Sequence, residues 1–134
     1  MKIIICDSND NIMDTMKSYT DLEQSKKLAE ILPLESADMY WWSSGKRYYI
    51  EAMDDGDFNE REGHVRAWSL AALLDILNKT AYFMDEDASV NLSSYKTIEW
   101  DLGIDNSDLE LVTESNPVDA CYEMILKLHE LKML

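Results

Sequence analysis

The stretch Asp38-Met39-Tyr40-Trp41-Trp42-Ser43-Ser44-Gly45-Lys46-Arg47-Tyr48-Tyr49-Ile50-Glu51-Ala52-Met53 carries the strongest structural signal in the chain. Two aromatic-rich runs flank Ser43-Ser44-Gly45, which predicts a β-hairpin around that turn. Side chains alternate along a strand. Met39 and Trp41 therefore share one face, and Tyr40 and Trp42 the other. In the second run Tyr48, Ile50 and Ala52 oppose Arg47, Tyr49 and Glu51. One face is plainly the more apolar, so Trp41 reads as core, and Trp42 and Tyr49 are left together on the other face. Tryptophan and tyrosine dominate protein-binding hot spots, which makes Trp42 and Tyr49 a candidate contact surface. A second helix or a dimer mate would cover them equally well. Nucleobase stacking comes with basic residues. Lys46 and Arg47 are close by, but the chain as a whole is strongly acidic.

Working outward, Thr20-Asp21-Leu22-Glu23 predicts a helix start, with Thr20 as cap and Glu23 completing a capping box. Leu22, Leu28, Ile31 and Leu32 give its apolar positions, and Pro33 ends it. Asp54 to His64 is a polar loop in which His64 reads as solvated. The loop lacks the alternating ligands, central glycine and distant glutamate of a calcium loop. Ser69 is placed to cap a second helix of about nine residues, with Leu70, Leu73, Leu74 and Leu77 as its stripe. Ala81–Met84 reads as a short strand, Ser94–Leu102 as a strand with Ile98, Trp100 and Leu102 inward, and Leu109–Glu114 as a last strand. The final helix has Asn116 as cap, Pro117 in its first turn and Asp119 following. Val118, Cys121, Tyr122, Ile125, Leu128 and Lys132 recur along it at helical spacing.

The resulting order is α-β-β-α-β-β-(β)-α. It predicts an α+β fold with a mainly antiparallel sheet of about four or five strands and three helices on one side. At 134 residues the chain reads as one domain. The segment Met1–Ser18 has two readings: Lys2–Cys6 is an edge strand, or the segment is a loosely attached extension ahead of a start at Met16.

The 27 acids and 12 bases leave a net charge of −15. From Ala81 to Leu126 eleven acids face the single base Lys96, a net −10. Such a surface repels a phosphate backbone or an anionic membrane, which argues against both as direct partners. A basic protein is its electrostatic complement. The two cysteines, Cys6 and Cys121, share no metal-ligand spacing, so reduced thiols in the cytoplasm are the simple reading.

Three blocks, Glu23–Trp42 (EQSKKLAEILPLESADMYWW), Ala67–Leu77 (AWSLAALLDIL) and Asn116–Glu130 (NPVDACYEMILKLHE), together resemble a family of short uncharacterised proteins of gut bacteria and their prophages or other mobile elements. The resemblance implies a setting. It brings no activity, substrate or catalytic residue.

Enzymes leave constellations of residues, and few are present. His64 and His129 have no ligand set around them, so no metal or other cofactor is expected. Cys121 and His129 lie over two helical turns apart, out of reach of each other. Glu99 and Asp101 face the same way on one strand, roughly 7 Å apart, and they mark the acidic half of the candidate contact surface. The leading expectation is a non-enzymatic accessory protein that binds another protein through Trp42, Tyr49 and the acid-rich region. Two alternatives are a nucleic-acid mimic that blocks a DNA-binding protein, and a small metal-dependent hydrolase using Glu99 and Asp101.

Overall fold

A computed structural model describes residues 4–6, 17–53, 57–84, 89–94, 97–101, 110–113, 116–132 and 134, with residues 4–6 and 81–113 described by their backbone. The fold is α+β. Its elements run β1 (Ile4–Cys6), α1 (Leu22–Ala29), β2 (Met39–Ser44), β3 (Arg47–Ala52), β4 (Val65–Ala67), α2 (Leu70–Met84), β5 (Ser89–Ser94), β6 (Thr97–Asp101), β7 (Glu110–Thr113) and α3 (Pro117–Glu130). Instead of one sheet of four or five strands there are two, ordered β1-β3-β2-β4 and β5-β6-β7. The chain divides into two compact units, Met1–Ser69 and Leu70–Leu134, and each holds one sheet.

In the first unit the hairpin forms as its alternation requires, with Met39 opposite Ala52 and Ser44 opposite Arg47. The turn is one step later than predicted. Ser43 and Ser44 stay in the ladder, and Gly45-Lys46 makes the loop. Gly45 has φ +65°, and a two-residue hairpin loop needs a positive φ that glycine adopts without strain. The strand β1 runs parallel to β3 at one edge, and β4 runs antiparallel to β2 at the other.

Trp41 is the centre of this unit's core and is 1% exposed. It clusters with Leu22 and Ala67, and Tyr19, Met39, Tyr48, Ile50 and Val65 pack around them. Its Nε1–H donates to the Thr20 carbonyl at 3.0 Å, and the Tyr19 ring meets it edge-on at 5.7 Å. Thr20 is fully buried. Its hydroxyl accepts from the Trp68 amide at 3.1 Å and shares a 2.7 Å hydrogen bond with Ser25. Its own amide donates to the Trp68 carbonyl. These bonds explain why Thr20 does not cap α1, as the sequence pattern suggested. Its hydroxyl is already used, and Asp21 caps in its place in a reciprocal box with Gln24. Trp68 is also fully buried, with its Nε1–H on the Ser36 hydroxyl. Asp38 takes both the amide and the hydroxyl of Ser69.

In the second unit α2 packs along α3 and β5, and α3 lies against β6 and β7. The helix α2 is fifteen residues long, so Ala81–Met84 is helix and not strand. No glycine or proline interrupts the chain between Trp68 and Asp101, and nothing stops the helix where the leucine stripe ends. Leu73 and Leu77 are fully buried. The strand β5 was not anticipated from sequence. It pairs with β6, with Val90 opposite Trp100 and Leu92 opposite Ile98, which sets Ile98 and Trp100 in one apolar row. Leu102 lies outside the described residues. The helix α3 begins as predicted, with the Asn116 side chain accepting from the Asp119 amide at 2.9 Å. Val118, Cys121, Met124, Ile125 and Leu128 are buried. Lys132 falls past the end of the helix, in the left-handed region at φ 61°.

The two candidate caps predict different losses. Asp21→Ala should cost about 1 kcal/mol, the usual worth of a cap. Thr20→Val should cost about 1–3 kcal/mol, because it strands the buried Trp68 amide. Urea denaturation of both variants checks the order.

Candidate functional site

The hairpin face opposite Trp41 is aromatic. Trp42 and Tyr49 are direct cross-strand neighbours and stack at 4.5 Å between ring centroids, with planes 18° apart. Both are half-buried, not freely exposed as alternation suggested, because each ring covers the other. The Trp42 Nε1–H is shielded from solvent and has no acceptor among the described residues. A shielded, unpaired N–H costs about 1–3 kcal/mol. Trp41 and Trp68 each have theirs satisfied. The ring of Trp42 therefore lacks the directional bond that fixes the other two.

Beside this pair lies a cluster that the sequence did not reveal. Tyr40 is buried, and its hydroxyl donates to Glu51 at 3.2 Å. The His64 ring stacks on Tyr40 at 5.2 Å. Phe58 meets Tyr40 edge-on at 5.6 Å, and the Arg66 guanidinium sits 4.5 Å over the Phe58 ring. His64 is thus not solvated; its side chain is 13% exposed. Its Nδ1 accepts from the Asn59 amide at 3.0 Å, and its Nε2 lies 3.6 Å from a Glu62 carboxylate oxygen. The Asn59 side chain in turn caps the short 3-10 turn Glu60–Glu62. The available sequence signal was the pairing arithmetic of the sheet. Val65 opposes Trp41, so the residue before it lies level with Trp42 on the aromatic face.

An open groove of about 280 Å³ borders this region, lined by Lys26, Ala29, Leu34, Glu60, His64, Val65 and Arg66. Arg66 is paired with Glu60. Glu99 and Asp101, the other two candidates, are not on this surface's strands. They lie on β6, the middle strand of the second sheet, with Asn91 and Leu111 opposite Glu99 and Ser89 opposite Asp101. None of these partners is a cation or another acid. Among the described residues no three potential ligands gather as they would around a metal ion, and no helix is long and apolar enough to cross a membrane. Burial pushes the Cys121 thiol up to about 12. No protein-family model, curated protein or solved structure matches the chain.

Two outcomes follow from these side chains. A backbone amide can only donate, so Nδ1 of His64 must be the bare nitrogen. Nitrogen-15 shifts of the imidazole at neutral pH should show Nε2 carrying the proton. For Cys121, the thiolate is the reactive form, so in a Cys6→Ser background the folded protein should resist iodoacetamide and react once unfolded in urea. An unfolded thiol ionises near its ordinary value of about 9, while the folded one holds its proton to about 12. The stability contributed by the buried Cys121 thiol should therefore be fully present below pH 9 and be lost between pH 9 and about 12, and Cys121→Ala should make the decline over that range shallower.

Proposed function

We propose that the protein is a non-enzymatic accessory protein that works by binding another protein, and that the Trp42–Tyr49 face makes the contact. The observation that carries this reading is the Trp42 ring: half-buried, stacked on Tyr49, and without an acceptor for its N–H among the described residues. Large aromatic side chains with a polar handle are typical interface anchors. A ring held by stacking, with no directional bond, can repack against an incoming surface. The neighbouring Tyr40, Phe58 and His64 stack supplies rigid support. The sequence blocks that resemble proteins of gut-bacterial prophages and mobile elements make a host or phage protein the natural partner.

The acid-rich segment Ala81–Leu126 favours a second reading, mimicry of nucleic acid towards a DNA-binding protein. The two readings separate by salt and by mutation. Affinity capture of the tagged protein from its native cell should yield one specific partner. Trp42→Ala with Tyr49→Ala should remove that partner while leaving the circular dichroism spectrum unchanged, and the capture should survive high salt. A partner that disappears in high salt but tolerates the double substitution would replace the leading reading with mimicry.

A further inference from the structure

We propose that Asp57–His64 is a strap over the Tyr40 ring, fastened where the Asn59 amide bonds to Nδ1 of His64, and released when that nitrogen takes up a proton. The strap stands on other residues than Trp42 and Tyr49; only the use made of its release rests on the contact proposed above. Tyr40 shares the hairpin face of Trp42 and Tyr49, yet it is 3% exposed while they are half-buried. Two rings of the strap cover it. Phe58 meets it edge-on at 5.6 Å, and His64 stacks on it at 5.2 Å. The two covering residues are tied together, because Asn59, next to Phe58, gives its amide to Nδ1 of His64 at 3.0 Å. Beside that bond the His64 amide reaches the Asn59 carbonyl only at 3.4 Å, a weak second hold. A protonated imidazole carries a donor on both nitrogens and has no acceptor left. Two donors facing each other at 3.0 Å cannot stay in place, so protonation unfastens the strap at Asn59.

The charges around the ring decide which side gives way. Glu62, on the strap, lies 3.6 Å from Nε2 and is mostly exposed. Its pull is screened by water, and it acts on the other nitrogen, so it holds the ring without repairing the Asn59 bond. Glu51 on β3 is engaged by the Tyr40 hydroxyl, and Glu60 by Arg66. Lys26 on α1 lines the same groove as His64 and Arg66. Asp57 and Arg61 are exposed strap residues of opposite charge. A cationic ring gains from lying on the Tyr40 face. The Arg66 guanidinium already sits over Phe58, whose ring centroid is 6.0 Å from that of His64, so a charged His64 sets two cations about one phenyl ring. The imidazole therefore keeps to Tyr40 and Glu62, and the Phe58–Asn59 end moves. Water takes up the freed amide, since the bond lies at the surface. Release uncovers the edge of Tyr40 that Phe58 meets and enlarges the aromatic face of Trp42 and Tyr49.

The test uses the full chain, labelled with nitrogen-15 and carrying His129→Gln, an exposed substitution that leaves His64 as the one imidazole. From about pH 8 to about pH 5, the range in which histidine changes charge, the ring nitrogens should move to imidazolium shifts. In step with them the Asn59 amide should shift upfield. Its hydrogen-exchange protection, corrected for the intrinsic rate, should fall by about fivefold, the worth of one hydrogen bond. Cross-peaks between the Phe58 and Tyr40 rings should weaken over the same range. His64→Phe keeps a ring on Tyr40 but offers no acceptor, so its Asn59 amide should be unprotected already at the alkaline end and show no step. The experiment contains no partner, so its result stands apart from the fate of the Trp42–Tyr49 contact. An Nδ1-protonated tautomer at the alkaline end, an Asn59 amide that stays unchanged while the imidazole titrates, or ring cross-peaks that persist would each overturn the proposal. So would an equal step in His64→Phe, which would assign it to Glu51, Glu60 or Glu62.

Discussion

Trp41 can be buried because the Thr20 carbonyl meets its indole N–H. A buried donor without a partner would cancel much of what the ring contributes by leaving water. That one bond fixes where residues 19–21 run. It holds Thr20 against the Trp68 strand end, where the threonine hydroxyl and amide take up the Trp68 backbone. It therefore also fixes where α1 begins. Ser25, in the first turns of α1, closes the arrangement by sharing its hydroxyl with Thr20. The helix start, the end of β4 and the centre of the hairpin are thus joined through one buried threonine.

The hairpin's two faces have opposite hydrogen-bond economies. On the inner face the tryptophan is satisfied and rigid. On the outer face the Trp42 N–H is shielded and unsatisfied among the described residues, and the ring rests on Tyr49. A fold tolerates such a defect at modest cost when the rest of the core is sound. Defects of this kind concentrate at places that serve binding rather than stability. The contrast between two adjacent residues of identical chemistry is what motivates the proposed contact on the outer face.

Among the described residues the candidate acids have no comparable focus. Glu99 and Asp101 share a strand, yet their register partners are Asn91, Leu111 and Ser89. Two carboxylates that merely alternate along a strand, with no cation or second acid opposite, are what a composition rich in acids produces by itself. In the first unit, by contrast, a base and an acid do meet: Arg66, beside the groove next to α1, is paired with Glu60.

The strand alternation of Met39–Ala52, the Asn116-Pro117 helix start and the leucine stripe of α2 were all legible in the sequence, because each is set by neighbours within a few residues. The misreadings arose where a distant partner intervened. Thr20 resembles a cap, but Trp68, 48 residues away, claims its hydroxyl and passes the role to Asp21. His64 sits in a polar loop, but the Tyr40 ring draws it under cover. Ala81–Met84 has strand-like composition, but in the absence of a breaker it continues α2. The division of the strands between two sheets was equally invisible, since pairing depends on long-range register rather than local pattern. Local pattern was enough to sort the apolar residues of each element onto one face. Which of two neighbouring indoles finds a carbonyl emerges only from the folded chain, because that bond joins residues 21 apart.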